Sequence, residues 1–463
     1  MTSSARDIRG GPTKLFFVSM LTKDISLMDA ILDLVDNSID GAMRSLGDKM
    51  SDANSLAGYF CKLTINSKLF EVLDNCGGIP DELLDTAFQL GRPRLEADKN
   101  IPTIGMYGIG MKRAIFKISE SAGVVSKSCT KVASVSYSRD WLNPDNDSWD
   151  LQIEESAVVD AERGFKIGSN DLRPEISIQF GKADFINSLR YKIGEHFGYL
   201  IERGFLIEVN GDPVSPRVAK LMFNPDKNVL PYDFSATIGG VKVKVTIGFF
   251  RQLTREVELE EATESNKDTD LNQSGITVIC NDRVIVASDT TALTGWGVGA
   301  TPKYHPQFRA IAGVISFFSL DATLLPVATT KHDLDQSKES FQIARNMAME
   351  GIVLFTSFTN RWKGREQETD AILDRHEIKP ARSIVLAEDA KLGSVSRVAP
   401  DARKFMPELP KPASSSRVRR VAFSRDATEI KKMAEFLLGK PDAKPGDVGV
   451  AAWEDALVKM DRK

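Results

Sequence analysis

The sequence predicts an α+β chain: two mixed units in succession and a small helical tail. Three observations carry that reading. Helix-period and strand-period stretches are mixed from residue 15 to about 200. A strand-rich stretch from Phe205 closes on one long helical pattern that ends near Trp362. Beyond Gly364 the composition changes to proline, serine and arginine. The expected boundaries are residues 1–204, 205–365, a basic flexible linker over 366–427, and a short helical segment over 428–463.

Taken in order, Ser26 to Met43 reads as one amphipathic helix. "YFCKLTINSKLFEVLDN" reads as two short strands joined at Asn66-Ser67. "PDELLDTAFQL" reads as a helix opened by Pro80 and closed at Gly91. A glycine-rich loop then runs into a helix from about Lys112. Strands follow from "GVVSKSCTKVASVSYS" to "EISIQF", and "DFINSLRYKIGEHFGYLIE" has helical apolar spacing. In the second unit "FLIEVNGDPV" and "ATIGGVKVKVTIGFF" are strands. "GITVICNDRVIVAS" is a hairpin turning at Asn281-Asp282, and "AIAGVISFFSL" is a further strand. "REVELEEATESNKDTDLNQSG" reads as a solvated excursion. The long helix spans about Ser337 to Trp362.

Bulk properties exclude several classes. The chain has 463 residues and a net charge of −4, so no global field points to nucleic acid or membrane. Cys61, Cys76, Cys129 and Cys280 form no CxxC pair, which argues against a zinc or thioredoxin-like site and for free thiols in a reducing compartment. No stretch has the length and apolarity of a signal peptide or a bilayer span. The expected location is the cytoplasm.

Three segments carry chemistry. In "ILDLVDNSIDGAM", Asp33, Asn37 and Asp40 fall within about 60° of one another on a helix, with Asp36 beside them. The rest of that helix is apolar, so the polar stripe cannot simply face bulk water. An asparagine carbonyl, phosphate oxygens and waters suit magnesium, and a carboxylate one turn away would orient or deprotonate a water. Taken alone, the stripe reads as a solvated or capping face. In "EVLDNCGGIP", Asp74 precedes Gly77 and Gly78, where a carboxylate would accept a hydrogen bond from an exocyclic amine. Taken alone, that is turn chemistry. In "IGMYGIGMKRAIFKIS", Gly105, Gly108 and Gly110 precede a helix with Lys112 at its start, which suits an anionic phosphate. The spacing fails the Walker A pattern, and the position is wrong for a Rossmann fingerprint.

In this order and spacing, the D-x-x-x-N helix, the DNxGG turn and the GxxGxGxK loop resemble the GHKL ATPase superfamily. That group includes gyrase-type topoisomerases, ninety-kilodalton heat-shock chaperones, sensor histidine kinases, and the MutL and MORC ATPases. The resemblance covers about residues 15 to 200. It implies a Bergerat-fold α/β sandwich, followed here by a ribosomal-protein-like α/β transducer domain. "LLPVATTKHDLD", between a strand and a long helix, resembles the transducer loop that brings a lysine to the γ-phosphate. The overall look is nearest to prokaryotic MORC-, MutL- and heat-shock-chaperone-like members.

The resemblance implies roles residue by residue. Asn37 would coordinate magnesium and Asp40 would line the nucleotide site. Asp33 stands where the family has a water-activating glutamate. Being one methylene shorter, it implies a different water geometry, slow hydrolysis, or help from Asp36. Asp74 would accept the adenine amine, with Gly78 and Ile79 beside it and Cys76 replacing a family glycine. Gly105, Tyr107, Gly108, Ile109, Gly110, Met111 and Lys112 would form the phosphate loop and lid hinge, within a lid over about 91–111. Ser177 in "EISIQF" would support a water at the adenine site. Lys331 would complete the catalytic site after Thr330.

The expected function is magnesium-dependent ATP hydrolysis coupled to lid closure and ATP-gated homodimerisation of a clamp. Segment exchange through "MTSSARDIRGGPTKLFFVS" would join the two copies. DNA or a DNA-associated complex is the expected client, in repair, compaction or phage defence, with a partner protein possible and no membrane involved. Residues 391–425 hold nine basic groups against two acidic ones, a stretch that would track phosphates or serve as a soluble tether. One alternative is a regulatory or chaperone-like nucleotide-binding module with little hydrolysis. Another is a sensor-type kinase, against which stands the lack of a histidine ahead of Asp33.

Overall fold

A computed structural model describes residues 13–23, 25–47, 55–89, 101–103, 108–143, 145–146, 148–159, 162–224, 229–255, 258, 273–328, 333–374, 376–384, 386, 392–412 and 421–461. Two compact units divide at Lys411 and Pro412. Among the described residues no helix is long and apolar enough to cross a membrane.

The first unit opens with α1 (Lys14–Lys23) and α2 (Leu27–Leu46). The Ser26 hydroxyl caps α2: Asp29 N donates to it at 3.1 Å, and it donates to Asp29 Oδ2 at 2.8 Å. Ile31, Leu32, Leu34 and Val35 are fully or almost fully buried, each worth about 1.5–3 kcal/mol of transfer free energy. They pack on strands β1 (Phe60–Asn66) and β2 (Leu69–Asp74), whose inward residues alternate with half-buried ones. Short α3 (Leu84–Ala87) and then α4 (Gly110–Ile118) follow, before β3 (Ser119–Lys127), β4 (Lys131–Tyr137), α5 (Arg139–Leu142), β5 (Ile153–Ala157) and β6 (Gly164–Leu172). After α6 (Pro174–Phe180) and α7 (Ala183–Glu202) come β7 (Leu206–Val209) and β8 (Asp212–Pro213). The eight strands form one sheet in the order β5-β4-β3-β6-β2-β1-β7-β8, with β1 and β7 parallel.

A second core lies beyond residue 220. Strands β9 (Lys220–Phe223), β10 (Tyr232–Ile238), β11 (Val241–Phe249), β12 (Gly275–Cys280), β13 (Arg283–Asp289) and β14 (Ile311–Phe318) precede the long α8 (Glu339–Trp362). Then follow α9 (Glu366–Leu373), β15 (Glu377–Pro380), β16 (Gly393–Ser394) and β17 (Arg403–Phe405). The sheet order is β13-β12-β14-β11-β10-β17-β16, while β15 pairs with β9. Buried Phe341, Ala344, Ala348, Ile352, Phe355 and Phe358 lay one face of α8 on this sheet. The unit from Pro412 holds α10 (Ala427–Leu438), capped by Asp426, and α11 (Pro445–Asp461).

Four expectations need correction. The strands of "FLIEVNGDPV" do not open the second unit at Phe205: β7 pairs with β1, so both β7 and β8 complete the first sheet. "EISIQF" is the helix α6, not a strand. Ile176, Ile178 and Phe180 alternate, but Ile176 and Phe180 are also one helical turn apart; these two are buried while Ile178 is 65% exposed. Pro174 at the first helical position favours the helix further. Among its described residues, "PDELLDTAFQL" holds a 3-10 turn, Asp81–Leu83, and the four residues of α3. The stretch 366–411 is not a free linker. β17 pairs with β10, and Leu373, Ala381 and Ala402 are buried. Its prolines and charges mask short pairing segments that no periodicity announces.

Candidate functional site

A cleft opens between α2, the end of β2 and the start of α4. It encloses about 1070 Å³, counting space continuous with solvent. Asp33, Asn37, Asp40, Asp74, Gly78, Ile79, Gly108, Ile109, Gly110, Met111 and Lys112 all line it. Sequence reasoning thus named eleven residues that the fold brings to one cleft.

The α2 side is a row of three at one-turn spacing. Asn37 is half-buried and reaches the cleft, whereas Asp33 and Asp40 are buried along it. Arg113 Nη2 donates to Asp33 Oδ2 at 2.8 Å, an ion pair almost closed to solvent. The α4 backbone approaches this pair closely. A Cβ on Gly110 would stand 3.2 Å from the Asp33 Cβ, so glycine lets the α4 N-terminus lie against the carboxylate.

The β2 end is built from neutral donors. Ser38 Oγ donates to Asp74 Oδ2 at 2.7 Å, and Cys76 N and Phe165 N donate to Oδ1 at 2.8 and 3.1 Å. Burial pushes the Asp74 carboxyl above its ordinary range; these three hydrogen bonds and the Arg44 charge oppose that rise. Gly78 has φ +71°, and a Cβ there would meet Lys127 O at 2.4 Å, so no other residue fits without a backbone shift. Ile79 N donates to Ser126 Oγ at 2.7 Å, which fixes the turn on β3.

At the glycine turn, Gly108 has φ +63° and α4 begins at Gly110. The Lys112 ammonium is buried and donates to Gly108 O at 2.7 Å and to Ala87 O. It thereby ties the turn to the end of α3. Gly105, Tyr107, Thr330, Lys331 and most of the lid lie outside the described residues. Ser177 is not at the cleft. It sits on α6 and donates to Ser67 O at 2.6 Å, because its segment folds as a helix over the β1–β2 turn.

Sequence reasoning missed Arg113, Ser38, Arg44 and Phe165, all at the cleft or bonded to its carboxylates. Arg113 and Ser38 are direct neighbours of Lys112 and Asn37, so adjacency was their signal. Phe165 had none, since it comes from a strand 91 residues beyond Asp74 in the chain.

A magnesium ion fits this donor set in one way. Among the described residues no group of three His, Cys, Asp or Glu side chains could cage a metal. Asn37 offers a single oxygen beside an open cleft, which suits an ion held mostly by phosphate oxygens and waters.

Residues 25–168 match the family model described as histidine kinase-, DNA gyrase B- and HSP90-like ATPase. This supports placing that part of the chain in the GHKL superfamily. The matched span contains α2, the β2 turn, the glycine turn and α4. No curated protein matches the chain.

Proposed function

We propose that the chain binds and hydrolyses ATP with magnesium, and that ATP closes two copies into a clamp. The observation that carries the reading is the cleft itself: Asn37, Asp74 and the N-terminus of α4 face one cleft, in a segment similar to GHKL ATPases. Asp74 accepts the adenine amine, and Gly78 lets the turn beside it close against Lys127 on β3. The amides at Gly108–Gly110 and the positive end of α4 hold phosphate oxygens. Asn37 holds magnesium, which neutralises phosphate charge when bound. Asp33 orients the attacking water in line with the γ-phosphate, and Lys331 completes the site.

The clamp reading draws support from α1. Leu15, Phe16 and Met20 are exposed there, while Lys14 is anchored on Trp141 O and Ser148 O. An apolar strip beside a fixed point suits docking of a second copy. DNA as client, as in MORC- and MutL-like proteins, rests on the basic stretch that includes Arg417, Arg419, Arg420 and Arg425. Lys404 contributes less, because it is paired with Glu350 at 2.8 Å.

The Asp33–Arg113 ion pair favours a second reading, a nucleotide-binding module with little turnover. Its Oδ2 is already engaged by a guanidinium. Steady-state phosphate release, compared with Asp33→Ala, separates the two. Release by the parent and at least a tenfold fall in the variant support hydrolysis; equal and negligible release leaves binding alone. Mass in solution, with and without a non-hydrolysable ATP analogue and duplex DNA, tests the clamp. A monomer under every condition would remove it.

A further inference from the structure

The turn between β12 and β13 makes a set of contacts that the ATP site does not account for. Its residues Asn281 and Asp282 have φ +46° and +68°, the left-handed pair of a tight hairpin turn. Arg283 follows. It is 0% exposed, yet it carries a full charge, and its Nε donates to Asp36 Oδ1 at 2.6 Å. Asp36 is 1% exposed and immediately precedes Asn37 on α2. The guanidinium also lies 5.4 Å from the Phe197 ring centre on α7. Burying two charges costs desolvation that the attraction scarcely repays, so such a pair is weak evidence for stability. It does fix geometry, because neither partner can leave without stranding the other.

The same turn holds two more elements. Asn281 Nδ2 donates to Thr103 O at 3.3 Å, just ahead of the glycine turn, and to Ser319 O at 3.0 Å. Ser319 N donates back to Asn281 Oδ1 at 3.0 Å, at the end of β14. Asp282 Oδ2 accepts from Arg203 at 2.6 Å, at the end of α7, and Asp282 is also paired with Arg382. One hairpin turn of the second sheet therefore grips the helix that carries Asn37 and, at Thr103, the segment ahead of the glycine turn.

We propose that Arg283 is a positioning residue for the ATP site: through Asp36 it sets where α2 holds Asn37 and Asp33 relative to bound ATP. The β12–β13 turn is the joint by which the second sheet and the cleft move together. Any displacement of that sheet shifts α2 or breaks a buried ion pair, so the joint has discrete rather than graded positions. This rests on the ATPase reading above.

The test replaces the charged pair with apolar groups, Asp36→Leu with Arg283→Met, which leaves no charge stranded. Thermal melting, ATP affinity by calorimetry and phosphate release are compared with the parent and with Arg283→Lys. The expected result is a folded double variant that binds ATP within about threefold of the parent but turns over at least tenfold more slowly, with Arg283→Lys recovering part of the loss. Turnover within twofold of the parent would overturn the proposal. So would an equal fall in affinity and turnover, since the pair would then only hold the fold. If the double variant does not fold, Asn281→Gly decides instead, because glycine keeps the left-handed turn and removes the Thr103 and Ser319 contacts. It should slow turnover without weakening ATP binding, and unchanged turnover overturns the proposal. A parent that neither binds ATP nor releases phosphate fails the ATPase reading itself and overturns this proposal with it, an outcome visible before any variant is made.

Discussion

Asp74 and Asp33 line one cleft from different elements, and both are buried. Their partners differ. Asp74 is held by a hydroxyl and two backbone amides, Asp33 by a guanidinium. Neutral donors fix a carboxylate and place no opposite charge in contact with it. A guanidinium answers the charge within the protein. The β2 end is thus ready to accept an amine, while the α2 end holds its carboxylate in reserve. The same residue type at similar burial takes two roles, decided by what donates to it.

The comparison breaks most sharply at Arg113. Arg113→Ala removes the charged partner from a buried carboxylate and is expected to cost about 3–5 kcal/mol of stability. Denaturant unfolding checks it; a loss below about 1 kcal/mol would mean that the ion pair does not hold the site.

Asn37→Ala tests the open position in the cleft. Asn37 is half-buried, so the fold should survive. Turnover should fall about a hundredfold, near 2.7 kcal/mol at 1.36 per decade. Melting curves and phosphate release at saturating magnesium measure the two effects separately.

Asp74→Asn and Ser38→Ala grade the β2 end. Losing a charge-assisted hydrogen bond to the ligand should weaken ATP binding by about 1.5–3 kcal/mol, and losing the Ser38 donor by about 1 kcal/mol. Calorimetric titration with ATP gives both; equal affinities for all three proteins would remove Asp74 from the binding site.

The smallest effect is on pH. The folded pKa of Asp74 lies above its unfolded value, so between the two the folded chain keeps a proton that the unfolded chain has released. The stability tied to that proton is complete below the unfolded value and is lost as pH rises through the folded one. ATP binding needs the anion, so affinity should rise with pH over the same window. Titrations upward from the ordinary aspartate value, about pH 4, on the parent and on Asp74→Asn test this, since the variant should lack the Asp74 contribution.

Much of the cleft was legible because its residues are local in sequence. Helical spacing put Asp33, Asn37 and Asp40 on one face, and glycines marked Gly78 and Gly108 as turns. Ser177 went astray because an i, i+2, i+4 apolar pattern satisfies both a strand and a helix. Residues 366–411 went astray because strands of two to four residues leave no periodic trace.

The sequence by itself determined the helix with its polar stripe, the two glycine turns and the order in which they occur. These depend on side-chain spacing and on the backbone freedom of a few residues. Tertiary structure alone decided which groups answer the buried charges. Arg113 meets Asp33 across eighty residues, and Arg283 meets Asp36 across 247. The physical reason is desolvation. A carboxylate out of water must find a donor, and which donor arrives depends on how sheets and helices stack, not on any local pattern.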